Sequence, residues 1–296
     1  MLCHRLHVFA GLACAIAACF AGHRALAMSA DDCLPKFRTE LNISSTERPV
    51  VLLTINGLMA RVILDTGAER SSLTEAAAQR LGLVSGGAAA GEVKPGMVAG
   101  GGRPLPGISF VVVATTLPKI DNQPIDGVLG ADALSAYEVD LNLGRHLVLL
   151  YDPSPCDVPT LPWRRPFEEV AAQFSSHRHL AFPVTLDGQK ITAFIDTGAR
   201  VSMVNAAVDS RLGITDTDLA QDQPLWAKDP PPEEANAKKH KFVRLVVAGS
   251  ALLAPMFGVM PLRLTDAEMR MGLDVLSRER IWLSYATHRV FVERPG

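Results

Sequence analysis

At 296 residues, 48% of them apolar and with a formal net charge of -2, the chain has the material for two ordinary domains, each with a buried core. The charges are scattered, with no basic excess, which excludes a nucleic-acid or other polyanion partner. In chain order, the first feature is a basic start (His4, Arg5, His7), an apolar run over 8–20 and the small-x-small triplet Ala25-Leu26-Ala27. That pattern predicts a signal peptide over 1–27 and export to the periplasm. The apolar run falls short of the roughly 20 residues of a spanning helix, so no integral membrane span is expected in the mature chain. Ile16-Ala17-Ala18-Cys19 also fits a lipobox, which keeps open a lipoprotein anchored through Cys19.

Residues 28–48 form a polar lead-in. A first lobe over 49–152 opens with the apolar run Val50 to Ile55, turned by Asn56-Gly57 into Leu58-Met59-Ala60-Arg61-Val62-Ile63-Leu64. Asn-Gly between two such runs signals a hairpin, because both turn residues accept positive φ. Asp65 follows at the end of the second strand. Glu, Ala and Gln around residues 73–80 predict a short helix, with Gly82 as its terminator. Residues 85–107 carry glycines at 86, 87, 91, 96, 100, 101, 102 and 107, which reads as a mobile hairpin. The element Gly127-Val128-Leu129-Gly130-Ala131-Asp132 and the last strands close the lobe. Prolines 153, 155, 159, 162 and 166 predict a stiff linker over 153–178, and a second lobe occupies 179–296.

The second lobe repeats the first. Val62-Ile63-Leu64-Asp65-Thr66-Gly67-Ala68 returns as Ala193-Phe194-Ile195-Asp196-Thr197-Gly198-Ala199, followed at matching spacing by Ser71 or Ser202 and Gly82 or Gly213. The later glycine element returns as Met271-Gly272-Leu273-Asp274. Duplication at this spacing means two lobes about a pseudo-two-fold axis. Asp65 and Asp196 then meet at the interface as a pair sharing one proton, since like charges a few ångströms apart cannot both ionise. Such a dyad polarises a water for attack on a peptide carbonyl. Gly67 and Gly198 allow close backbone approach and offer amides to the carboxylates, and Thr66 and Thr197 are placed to bond across the interface.

Cys33 and Cys156 flank the first lobe and invite a disulfide, two free thiols being the alternative. There is no Cys-x-x-Cys or Cys/His cluster, so no metal and no cofactor is expected. His177-x-His179 reads as an exposed pair, Ser71 and Ser202 as helix-capping hydroxyls, and residues 229–241 as a solvated loop.

The pattern apolar-apolar-Asp-Thr-Gly-Ala, with Val128-Leu129-Gly130 after a glycine-rich hairpin, resembles the retropepsin-like aspartic proteases, and its doubling resembles their two-lobed bacterial members. The resemblance implies an all-β acid-protease fold of two duplicated barrel lobes in a monomeric chain. Catalysis falls to Asp65 and Asp196, and an extended peptide or protein substrate lies between the lobes. It also implies substrate contacts at Ala68, Glu69 and Ala199 and a flap carrying Gly100, Gly101 and Gly102. Arg200 in place of an acidic residue, Arg270 in place of an apolar one and no glycine-rich flap in the second lobe depart from the pattern. A non-catalytic peptide-binding module is the alternative function. Alanine rather than a hydroxyl residue at 68 and 199 predicts an only mildly acidic pH optimum.

Overall fold

The computed structural model describes residues 33–84, 91–228, 230–262 and 266–294. The export segment with Cys3, Cys14 and Cys19, the start of the lead-in, Gly86, Gly87 and Asp229 lie outside the described residues. Three sheets account for nearly all the regular structure, and the helices are short. No described helix is long and apolar enough to cross a membrane.

Each lobe is a curled sheet with the same strand order. In the first, the sheet runs Glu92–Val93, Phe110–Val113, Ser72–Thr74, Gly127–Leu129, Leu58–Leu64, Val50–Ile55, Val98–Gly100, Arg103–Pro104. The second runs Lys238–Lys241, Met256–Met260, Met203–Asn205, Met269–Met271, Gln189–Ile195, Leu180–Leu186, Arg244–Val247, Ser250–Leu253. The parallel pairs recur as well: Leu58–Leu64 lies parallel to Gly127–Leu129, and Gln189–Ile195 to Met269–Met271. Both hairpins turn where the dipeptides predict, with φ of 49° and 86° at Asn56-Gly57 and 48° and 80° at Asp187-Gly188. Positive φ at both positions matches the twist of the flanking strands. Alternating apolar residues of these strands (Val51, Leu53, Ile55; Val184, Leu186) point into one buried core.

The third sheet joins the lobes. Its order is Phe37–Asn42, Leu147–Tyr151, Glu138–Asn142, Ile281–Ser284, Arg289–Glu293, Phe167–Ala171, three strands from each half. The halves meet where Glu138–Asn142 pairs antiparallel with Ile281–Ser284, Val139 opposite Leu283. Part of the polar lead-in is therefore one sheet edge, and part of the expected exposed linker is the other, which corrects the linker reading. Their mixed, charge-bearing sequences (Phe37-Arg38-Thr39-Glu40-Leu41-Asn42 and Phe167-Glu168-Glu169-Val170-Ala171) suit edge strands, which face solvent along one side. Leu161 and Trp163 of the proline-rich stretch are also buried, and the Trp163 indole donates to Asp140 Oδ2 at 3.0 Å. A disulfide joins Cys33 to Cys156 with Cα atoms 5.4 Å apart, closing this sheet's outer end.

Candidate active site

Each aspartate leaves the sheet at the end of its strand. The Asp65 amide donates to the carbonyl of Leu129 at 3.0 Å, and the Asp196 amide to that of Met271 at 2.9 Å. The chain then turns tightly enough that two amides face one carboxylate oxygen. Gly67 and Ala68 donate to Asp65 Oδ1 at 2.9 and 3.0 Å, and Gly198 and Ala199 donate to Asp196 Oδ1 at the same distances.

The threonines cross between lobes. Thr66 Oγ1 donates to the carbonyl of Ile195 and Thr197 Oγ1 to that of Leu64, both at 2.7 Å. Both threonines are buried, so these bonds form away from competing water. The glycines fit beneath the opposite carboxylates: a Cβ on Gly67 would stand 2.3 Å from Asp196 Cγ, and one on Gly198 2.1 Å from Asp65 Oδ2. Only a residue without a side chain can lie that close. The two carboxylates are thereby brought together, Asp65 partly open and Asp196 only 8% exposed. Burial, then the neighbouring Asp65 carboxylate, push Asp196 up to about 7, while Arg270 pulls the other way.

A second repeated device sits behind each loop. Ser71 Oγ donates to Asp132 Oδ1 at 2.6 Å and accepts from the Gly130 amide at 2.9 Å; Ser202 does the same with Asp274 and Gly272. These serines are not helix caps, the role that Thr74 fills for the helix Glu75–Arg80. They brace the aspartate loops against the glycine elements, both being wholly buried.

The model of the protein family described as aspartyl protease matches the chain twice, over residues 51–133 and 182–272, together more than half of it. The chain belongs to the aspartyl protease family. Each match spans one curled sheet, its Asp-Thr-Gly and its glycine element, and the fold is the expected retropepsin-like one. Among solved structures, the crystal structure of a retropepsin-like aspartic protease from Rickettsia conorii is similar over 44% of this chain and 93% of that one, at 18% identity and a TM-score of 0.34. No curated protein matches.

Within this member of the family, several residues stand elsewhere than the sequence suggested. Gly100, Gly101 and Gly102 form a turn seated on the strand Phe37–Asn42: Thr39 Oγ1 donates to the Gly100 carbonyl at 2.7 Å, and a Cβ on Gly101 would stand 2.1 Å from the Glu40 carbonyl oxygen. Gly100 pairs with Leu53, itself opposite Ala60, well back along the strand from Asp65. This turn is part of the body of the lobe and not a flap over the dyad. The second lobe has the same hairpin, Arg244–Val247 with Ser250–Leu253, turning at Ala248-Gly249. That turn takes positive φ at Ala248 (45°) and Gly249 (80°), so the equivalent hairpin forms without a run of glycines.

The 229–241 segment is also built differently. Lys238–Lys241 is a strand paired with Met256–Met260, and Glu234 is buried, accepting from the Trp226 indole at 2.9 Å. Glu234 in turn holds Arg270 Nη2 at 2.5 Å, and Arg270 Nε lies 3.5 Å from Asp196 Oδ2. Arg200 lies over the Trp226 ring with its Cζ 5.9 Å from the centroid.

On the first-lobe side, Glu69 is exposed and faces His177 Nδ1 at 3.2 Å. His179 is not exposed. Its ring stacks on Phe194 at 4.4 Å, and its Nε2 is 3.0 Å from the Gly67 carbonyl. The bond requires Nε2 to carry the proton, and burial lowers the pKa of the ring. His179 thus ties the strand before the second Asp-Thr-Gly to the first, a role with no local sequence signal.

Proposed function

We propose that the protein is an aspartic endopeptidase in which Asp65 and Asp196 activate a water between them. The observation that carries this is the reciprocal packing of each Asp-Thr-Gly glycine under the opposite carboxylate, which holds two carboxylates in one partly dry site. With one proton between them, the ionised member takes a proton from the water as it attacks the peptide carbonyl. The protonated member bonds the carbonyl oxygen, and a proton then passes to the leaving amine. Amides of Gly67, Ala68, Gly198 and Ala199 stabilise the ionised form in either lobe.

Ala68, Glu69 and Ala199 border the dyad and are our candidates for backbone contacts to an extended substrate. The basic, apolar and small-residue N-terminus supports export and action on a protein of the periplasm or envelope. Digestion of an unfolded peptide library between pH 4 and 8 tests the activity, with Asp65→Asn and Asp196→Asn in parallel. Cleavage lost in both folded variants is the expected result. A well-folded wild type that binds extended peptides and cuts none would overturn it.

A further inference from the structure

The two lobes share one strand order, and beside the dyad they differ in charge at two places: Glu69 is matched by Arg200, and Val128 by Arg270, which contacts a dyad carboxylate. Val128 pairs with Ile63 in the first lobe, and Arg270 pairs with Phe194 in the second. Both positions immediately precede the residue whose carbonyl accepts the catalytic aspartate's amide. In the first lobe the side chain is apolar. In the second it is a guanidinium, directed at Asp196.

The details of that contact matter. Asp196 Oδ1 is already taken by the amides of Gly198 and Ala199, and Arg270 faces the other oxygen, Oδ2. Arg270 Nε is buried without a hydrogen-bond acceptor, and its 3.5 Å approach to Oδ2 is an ion-pair contact. A buried donor left open in this way favours negative charge on the carboxylate it faces. The other end of the guanidinium is held by Glu234, whose second oxygen is held by Trp226. The charged groups around the pair are thus Asp65 from the first lobe, Arg270 from the glycine element and Glu234 from the segment before Lys238–Lys241, with Arg200 behind Trp226. His179 lies on the Asp65 side, against Gly67.

Resting on the reading of Asp65 and Asp196 as a proton-sharing dyad, we propose that Arg270 is a positioning residue that sets the dyad's proton affinity from the second lobe alone, and that Glu234 limits its effect. Arg270 favours the ionised pair and lowers the pH at which the shared proton leaves. Glu234 draws off part of the guanidinium's charge and holds it back from a full bond to Asp196. The pair, already unequal in burial, thereby becomes unequal in charge environment too, with Asp196 the member whose charged form a cation supports against its deeper burial.

The test is a carboxyl titration of the purified protein carrying 13C-labelled aspartate, followed by NMR between pH 3 and 9, with Asp65→Asn and Asp196→Asn for assignment. Arg270→Met is expected to raise the upper titration step of the pair by about one to two pH units. Glu234→Gln is expected to lower it by a smaller amount, and Arg270→Lys, which keeps the charge, to stay near wild type. The alkaline limb of kcat/KM should move in the same directions. Unchanged titration in both Arg270→Met and Glu234→Gln, or shifts in the same direction, would overturn the proposal. So would a purely structural outcome, in which Arg270→Met lowers Tm and Arg270→Lys fails to restore the titration. The titration is read without turnover. A protein that shows the shifts yet cuts no peptide sinks the proposed function and leaves this inference standing.

Discussion

Thr66 and Thr197 bond each other twice: the Thr66 amide donates to Thr197 Oγ1 at 3.0 Å, and the Thr197 amide donates to Thr66 Oγ1 at 3.1 Å. Each hydroxyl also donates to a carbonyl of the opposite strand, so it serves as acceptor and donor at once. Replacing one hydroxyl by a methyl leaves an amide and a carbonyl unpaired in a buried place. Thr197→Val is therefore expected to cost about 1–3 kcal/mol in urea unfolding. The double variant with Thr66→Val should cost measurably less or more than the sum, with a coupling of about 0.5–3 kcal/mol. Strict additivity would show that the two loops do not act as a unit.

Gly67→Ala and Gly198→Ala address geometry. The added methyl would stand 2.3 Å from Asp196 Cγ or 2.1 Å from Asp65 Oδ2, far inside van der Waals contact, so the carboxylates must separate. A displacement of about 1 Å at a reacting group can cost on the order of 100-fold in rate. We expect at least that loss in kcat/KM for either variant, measured on a peptide cut by the wild type. Near-normal activity would place the reacting groups elsewhere.

Stability should have a ceiling and a floor in pH. Because the Asp196 pKa is raised in the folded state, from 3.8 to about 7, the folded chain binds more protons than the unfolded one within that window. Its contribution to stability falls as pH rises through the window. His179 acts at the other end: its pKa is lowered from 6.5, and stability is lost as pH falls below that value and the unfolded chain takes up a proton that the folded chain resists. Asp196→Asn should raise Tm most at pH 8, above the window, less at pH 5, inside it, and change it little below pH 3.8. Equal effects across these values would refute this origin.

The Cys33–Cys156 bridge spans a separation of 123 residues and ties the first strand of the joining sheet to the stretch after the first lobe. The chain-entropy model puts a closed loop of this size at about 4–5 kcal/mol. Cys33→Ser with Cys156→Ser is expected to lower stability by up to that amount. The parent protein should lose the same stability in a thiol reductant, while the double variant should not respond to it.

The features legible in the residue order are those that repeat locally. Asp65 and Asp196, their threonines and glycines, the hairpin dipeptides and the later glycine elements all lie in short windows written twice. The repeat also carried Ser71 with Asp132 and Ser202 with Asp274, although their meeting showed only in the fold. The flap assignment at Gly100 to Gly102 went astray because glycine count reports permitted backbone conformations and not which surface a turn rests on.

Local pattern and duplication determine the class of this protein: strand, turn, carboxylate and second lobe each follow from residues within a few positions of one another. The contacts that make the dyad unequal do not. Arg270 meets Glu234 and Asp196, and His179 meets Gly67, across separations in sequence that carry no periodic signature. Nor does the lead-in announce that it will edge a six-stranded sheet. Burial and charge at these places arise from side chains of different elements closing on one another, and that closing exists only after the lobes have packed.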